Sequence, residues 1–341
     1  MKEIRFIDLF AGIGGFRIAL EESGAKCVFS SEWDKQAQKT YQDNFGEMPQ
    51  GDITKIKESE IPDHDILCGG FPCQAFSISG NQNGFEDTRG TLFFDIVRIA
   101  KYHRPKVLFL ENVKNLQRHN HGDTLRIILR ILDEIGYTVF YKILVASNYG
   151  VPQARERIYF VAFRKDLGIN SFDFPKPTNR AIYVKDILED DIKTQKYVVK
   201  REDVKFWKKD ESHCLKPIQI GQINNGGQGE RIYSINGHAI TLSAYGGGVA
   251  GKTGAYLVND KIRRLSPREC ARVQGFPEWF KIEVSRAQAY KQFGNSVSVP
   301  VIGAIFKEIL YTLKNKDKLD KNININRITY DYSTQTRLIE A

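Results

Sequence analysis

Apolar positions follow two rhythms along the first half of the chain. Residues Ile4 to Phe10 are almost continuously apolar, as in a strand covered on both faces. A glycine turn, Asp8-Leu9-Phe10-Ala11-Gly12-Ile13-Gly14-Gly15-Phe16, leads into an amphipathic helix through Arg17, Ile18, Ala19 and Leu20 that stops at Gly24. A second strand covers Lys26 to Ser31, and a short buried one covers Asp65 to Cys68 before Gly69, Gly70 and Pro72 end it. Helical spacing returns from Gly90 to His103, with Leu92, Phe93, Ile96, Val97 and Ile99 on one face, and the strand Lys106 to Leu110 follows. Thr124 to Ile135 is again helical, with Leu125, Ile128, Leu129 and Leu132 apolar and Gly136 as its stop; strands at Tyr137 to Ala146 and Ile158 to Phe163 come next. Strands alternating with helices predict an α/β fold around a buried parallel sheet.

The rhythm breaks near residue 165. Periodicity fades through Asp166 to Ser212, and ten of the chain's 28 glycines fall between Gly221 and Gly254. Such density predicts loops and short strands in a separate small domain. Within it, Gly226-Gly227-Gln228-Gly229-Glu230-Arg231-Ile232-Tyr233 sets Gln, Arg and Tyr on flexible backbone; it is either a reader of base edges and phosphates or a surface loop. After the basic run Lys261-Ile262-Arg263-Arg264 come a helix from Pro267 to Gln274 and another from Val301 to Leu313. The tail beyond, rich in Lys and Asn, is expected to be mobile.

Composition narrows the class. At 341 residues the chain suffices for one large domain and a smaller one. Fifty Lys and Arg against 41 Asp and Glu leave a net charge of +9, which suits a polyanionic partner such as nucleic acid. The five cysteines form no Cys-x-x-Cys pair and no zinc-ligand pattern, which fits a reducing compartment. No apolar run approaches a membrane span and Met1 to Arg5 is no signal peptide, so a cytoplasmic protein is expected.

Candidate chemistry gathers at the predicted strand ends. Cys73 follows Gly69-Gly70-Phe71-Pro72 at the carboxyl edge of the sheet, where open α/β folds place ligands; it is a nucleophile if cationic groups favour its thiolate, and a packing residue otherwise. Glu32, twenty positions beyond Gly12, stands where such folds bind ribose hydroxyls. The dinucleotide fingerprint is absent, because Arg17 occupies its third glycine position, and an adenosine-containing ligand without phosphates fits better. Asp52 is an acceptor for an adenine amino group or a turn cap. Glu111, on the edge of Cys73, is a site acid or the cap of the next helix. Arg155 and Arg157 alternate at a strand entry and so point to one side, either as a solvated pair or as carboxylate holders. His119 and His121 lack a third metal ligand, so no metal is expected.

In order along the chain, Asp8 to Phe16, Glu32-Trp33, Asp52-Ile53, Phe71-Pro72-Cys73-Gln74, Glu111-Asn112-Val113, Gln153-x-Arg155-x-Arg157 and Phe293-Gly294-Asn295-Ser296-Val297 resemble the motifs of the C5-cytosine DNA methyltransferases. The segment Gly226 to Gly248 is similar to that of the HhaI-type (GCGC) modification enzymes. The resemblance implies a Rossmann-like S-adenosylmethionine-dependent methyltransferase domain, 1–180 with 275–315, and a small glycine-rich target-recognition domain, 181–274, ahead of a mobile tail, 316–341. It further implies restriction-modification activity on duplex DNA by a monomer. Phe10, Gly12, Gly14, Glu32, Trp33, Asp52, Ile53, Pro72, Leu92 and Asn295 would hold S-adenosylmethionine. Cys73 would add to C6 of a flipped cytosine, with Glu111, Arg155 and Arg157 at the base. Ser77, Ser79, Gln228, Arg231, Thr241 and Tyr245 would face the DNA, and the loop from Ser77 to Gly90 would close over the base. Three alternatives stand beside it: an RNA-methylating relative acting on tRNA, a DNA-binding module without catalysis, and a nicotinamide dehydrogenase, the last disfavoured by Arg17.

Overall fold

Strand β1 (Arg5–Leu9) lies between β2 (Lys26–Ser31) and β3 (Ile66–Gly70), parallel to both, in a computed structural model that describes residues 3–71, 92–178, 180–207 and 215–319. β4 (Val107–Val113) continues the parallel set beside β3. β5 (Tyr137–Val145) is the far edge, and β6 (Glu156–Arg164) runs antiparallel between β4 and β5, giving the order β2-β1-β3-β4-β6-β5. From β1 the chain goes first to one side and later to the other, which opens a crevice at the carboxyl ends of β1 and β3.

Alternation along the strands assigns each sheet face its helices. Phe6, Phe109, Val161 and Phe163 share a core with α1 (Gly15–Glu21), the neighbouring Ala37 of α2 (Lys35–Phe45) and α8 (Val299–Leu319). Ile7, Leu9, Leu67, Leu108, Leu110 and Phe160 pack instead on α3 (Phe93–His103) and α4 (Asp123–Glu134). α8 is long and apolar, but its Val301, Ile302, Ile305, Phe306 and Ile309 are buried in the first core, each burial contributing about 1.5–3 kcal/mol. It also runs on to Leu319, so the start of the stretch expected to be mobile is helical; 320–341 lies outside the described residues.

A short helical turn, α5 (Asp191–Thr194), precedes the second sheet, whose strands β7 (Val204–Phe206), β8 (Gln219–Ile223), β9 (Arg231–Ser234), β10 (Ala255–Val258) and β11 (Lys261–Arg264) lie in the order β11-β10-β9-β8-β7. Ile218, Ile220, Ile223 and Ile232 give it a core of its own. The basic run is β11, and Arg263 turns inward, its two terminal nitrogens 2.8 and 2.7 Å from the carboxylate oxygens of Glu269 in α6 (Pro267–Gln274). Glu269 also accepts from the main-chain N–H groups of Ser266 and Glu189, so both of its carboxylate oxygens are engaged. α7 (Arg286–Asn295) then returns the chain to the crevice.

A predictable pH dependence arises at the opposite edge. His64 is buried, its Nδ1 lies 2.8 Å from the Pro62 carbonyl, its Nε2 has no partner, and its ring sits 4.9 Å from that of His103. Burial pulls the imidazole down from 6.5 to about 4, so the neutral form is favoured in the folded chain. This stability is present above pH 6.5 and is lost as pH falls through 4. Between pH 7.5 and pH 5 the wild-type chain should lose roughly 2 kcal/mol more than His64→Gln in urea unfolding, and equal losses would count against the assignment.

Candidate active site

The crevice is a cleft of about 460 Å³ whose lining includes Phe10, Gly12, Glu32, Trp33, Leu92, Glu111, Arg155, Arg157, Tyr245 and Asn295. Its first half is built where β1 ends. Phe10 takes φ 56°, a left-handed conformation that a bulky residue adopts only when its surroundings impose it. Gly69 makes room for this turn: a Cβ there would sit 3.2 Å from the Leu9 carbonyl oxygen and 3.5 Å from the Phe10 ring. Gly12 also has positive φ, and a Cβ on it would meet nothing within 4 Å, so the main chain of the turn lines open space.

Glu32 ties the turn to β2. One carboxylate oxygen accepts from Gly12 N–H and the other from Asp34 N–H, both at 2.8 Å. Burial raises the pKa of this carboxyl and these main-chain bonds partly offset the rise. Beside it Trp33 is 77% exposed, an aromatic plate at the mouth of the cleft. Asp52 resolves as a cap: its Oδ1 accepts from Thr54 N–H and Oγ1–H at 3.1 and 2.8 Å, and Ile53 is buried. Neither belongs to the cleft lining, but the bonds between Gln50 and residues Ser30 and Glu32 keep them near the tip of β2. Gly14 is packed rather than open, since a Cβ would run into Phe45.

The second half depends on the reversed strand. Because β6 runs against β4, its first residues stand beside β4's last, with Glu111 opposite Tyr159 and Val113 opposite Arg157. Odd-numbered residues of both strands share a face, which brings Glu111, Arg155 and Arg157 together. Arg157 Nε lies 3.0 Å from Glu111 Oε1, yet that oxygen has no hydrogen-bond partner, so the pair is held by charge and not by a directed bond. Gly70 pairs with Glu111 across β3 and β4 and leaves it space. Burial raises the pKa of the Glu111 carboxyl above the usual range, with Arg157 and then Arg155 opposing the rise.

Arg155 lines the cleft with its guanidinium bound to main chain. It is 3% exposed, and its terminal nitrogens donate to the main-chain oxygens of Ser296 at 2.7 Å and of Gly294 and Leu242 at 3.4 Å. It therefore joins β6 to the end of α7 and to the chain entering the small sheet, leaving Arg157 as the cation on the acid. Desolvation, then the Arg157 charge, lowers its pKa, and the charge of Glu111 opposes the shift.

Pro72, Cys73, Ser77, Ser79 and the loop expected to close, Ser77 to Gly90, lie outside the described residues. Their approach is defined: Phe71 is buried against Phe93, and its carbonyl accepts from Asn112 Nδ2 at 2.9 Å. On the small sheet Gln228 and Arg231 are exposed, with Arg231 Nε 3.4 Å from the Gly226 carbonyl. Tyr245 is 79% exposed at the cleft, and Thr241 Oγ1 donates to the Ala154 carbonyl at 2.7 Å, a joint between the two units.

Sequence reasoning missed four contributors. Asn112 holds the strand leading to Cys73. Lys291 bridges to Asp34 at 2.6 Å across the cleft mouth. Gln153 and Gln274, both buried, bond to each other at 3.0 Å; Gln153 also bonds to Leu242 N–H and Val273 O, and Gln274 to Phe293 O. Asn112 and Gln153 stood inside recognised blocks; Lys291 and Gln274 carry no local signal.

The C-5 cytosine-specific DNA methylase family model matches residues 4–311. The Type II methyltransferase M.HhaI of Haemophilus parahaemolyticus is 56% identical over 314 residues, 92% of this chain and 96% of the relative. M.HpaII of Haemophilus parainfluenzae is 48% identical over 331 residues, 92% of this chain and 91% of that one. In fold, a putative prophage DNA modification methyltransferase from E. coli superposes with a TM-score of 0.70 at 23% identity, covering 92% of this chain and 100% of the other. The S. pombe Dnmt2 methyltransferase gives 0.68 at 22% identity, covering 91% and 99%.

The two arginines should separate on substitution. Arg155→Ala leaves buried carbonyl oxygens unpaired and should lower stability by about 3 kcal/mol or more, read from urea midpoints. Arg157→Gln removes the cation beside Glu111 and should move the carboxyl's titration further upward, followed by ¹³C NMR of labelled glutamate; an unchanged or lowered midpoint would refute the pairing.

Proposed function

The chain belongs to the C-5 cytosine-specific DNA methylases, of the Type II restriction-modification kind, and from that premise we propose that it methylates the inner cytosine of GCGC in duplex DNA through a covalent bond between Cys73 and C6 of a flipped base. The observation that carries this reading is the Glu111 carboxyl. It is buried, biased toward its protonated form and lacks a hydrogen-bond partner at one oxygen, in the same cleft as the nucleoside-sized cradle of Gly12, Glu32 and Trp33.

That cradle fits S-adenosylmethionine, which this family implies. Gly12 leaves open space, Trp33 offers a face for stacking an adenine, and Glu32 keeps lone pairs free for ribose hydroxyls beyond the two main-chain bonds it accepts. Phe10, Gly12, Glu32, Trp33, Leu92 and Asn295 would line the cofactor, with Gly14 packed behind the turn and Asp52, Ile53 and Pro72 at the rim. Bound S-adenosylmethionine supplies an electrophilic methyl group on a sulfonium.

The chain's residues prepare the base to receive it. C5 of cytosine is a poor nucleophile, so the Cys73 thiolate adds to C6 and makes C5 electron-rich. Glu111 gives its proton to N3 as that bond forms, and Arg157 stabilises the carboxylate left behind. Once C5 carries its methyl group, the C5 proton leaves to a base, the Cys73–C6 bond breaks to restore the thiolate, and N3 returns its proton to Glu111. Arg155 acts on none of these atoms; it holds the wall against which they occur. Flipping costs about a few kcal/mol, and Ser79 and Gln228 would fill the gap while Arg231 reads the flanking bases.

Bisulfite sequencing of plasmid from an expressing cell should find GCGC methylated at the inner cytosine; methylation at another sequence would refute the target, and modified tRNA in place of DNA would favour the RNA alternative. Cys73→Ala should abolish transfer while duplex binding persists. A duplex carrying 5-fluorocytosine should trap a covalent complex, because the fluorine cannot leave as the proton does, and failure to trap would remove the C6 addition.

A further inference from the structure

Two loops of the small sheet meet main chain against main chain. One joins β8 to β9 and carries Gln228 and Gly229; the other joins β9 to β10 and carries Gly246 to Gly251. Gly229 and Gly251 are buried, while Gln228, Arg231 and Tyr245 around them are exposed. A Cβ on Gly229 would overlap the Gly247 carbonyl oxygen and stand 2.8 Å from Gly251 Cα. One on Gly251 would overlap the same oxygen and lie 2.7 Å from the Gly246 carbonyl carbon, and one on Gly246 would overlap the Gly251 carbonyl. None of these three glycines has a positive φ, so close approach alone excludes a side chain there. A hydrogen bond from Ala250 N–H to the Gly229 carbonyl, 2.8 Å, crosses the contact.

A second contact of the same kind joins the loops to the cleft. A Cβ on Gly294, in the catalytic wall, would stand 2.9 Å from Ala244 Cα and overlap the Ala244 nitrogen, and Arg155 donates to carbonyls on both sides of that joint, Leu242 and Gly294. Gln228 is thus linked to the wall beside Glu111 and Arg157 through main-chain contacts, with no flexible side chain to absorb a displacement. A shift on the order of 1 Å takes a base-edge hydrogen bond out of range.

We propose that Gly229, Gly246 and Gly251 are specificity-determining positioning residues, a lock that fixes the spacing of Gln228 and Arg231 from Tyr245 and the cleft. The proposal rests on the reading that the small sheet faces duplex DNA, and its test separates the two. Full-length wild type, Gly229→Ala, Gly251→Ala and the control Gly247→Ala, whose Cβ would meet nothing within 4 Å, are assayed for methyl transfer to the cognate duplex and to duplexes altered at one base pair. Cofactor binding is followed by tryptophan fluorescence.

Gly229→Ala and Gly251→Ala should lose about tenfold or more in discrimination between the duplexes, the scale of one mismatched base pair, with cofactor affinity held within about twofold. Gly247→Ala should match the wild type. Discrimination retained in the first two, or lost equally in the control, overturns the lock. A wild-type chain that methylates no defined site removes the reading beneath it as well. If the variants fail to fold, hydrogen exchange in the wild type decides: the Ala250 amide should be protected about 100-fold before DNA is added and change little afterwards, and protection that appears only with the duplex overturns the proposal.

Discussion

Burying a guanidinium costs less as its N–H groups find acceptors, and the terminal nitrogens of Arg155 find them in two segments that are far from it in sequence. Leu242 lies at the entry to the glycine-rich loops, Gly294 and Ser296 at the end of α7, and Arg155 itself at the start of β6. Meeting that one requirement fixes where the small sheet, the cofactor wall and the edge of the large sheet stand relative to one another. Gln153 and Gln274 extend the hold with neutral bonds to the same segments. The positive charge also acts at a distance, because with Arg157 it counters the desolvation of Glu111. Structure and electrostatics at the site thus share one cause.

The charge pattern of the cleft follows from two unequal acids. Glu32 is bonded through both oxygens to main-chain N–H groups and works mainly as a brace for the Gly12 turn. Glu111 faces a cation that is near but not aimed at it, so it gains less from its partner and keeps an oxygen available. Strand β6 makes the second arrangement possible. A parallel strand in its place would have carried its opening residues to the other end of the sheet, far from the carboxyl terminus of β4.

Much of the fold was legible because the parallel strands and the helices α1, α3 and α4 carry strong periodicity. α2 was not, since Lys35–Phe45 is mostly polar; its evidence lay in the ends, where Asp34 caps the first N–H groups and Gly46 closes the helix with positive φ. α7 escaped for a similar reason, its weak amphipathicity hiding a helix capped by Ser285. At the site, the blocks around Glu32, Glu111 and Arg157 announced themselves as acids and cations at strand ends. Which arginine faces the acid depended on the pairing of β4 with β6, and local spacing carries no information about that. Asp52 shows the converse: a cap and a ligand residue look alike in sequence, and the bonds to Thr54 show the capping role of one oxygen, Oδ1.

The joint between Gly294 and the Ser243–Ala244 backbone, together with the bonds between Pro152 or Ala154 and Ala239, is made by main-chain atoms on both sides. An attachment of that kind does not depend on the identity of neighbouring side chains. Exposed positions such as Gln228, Arg231 and Tyr245 are therefore free to vary without loosening the unit that carries them. The molecule thus fastens its small sheet through a seam of main chain, and substitution at the exposed surface leaves that seam intact.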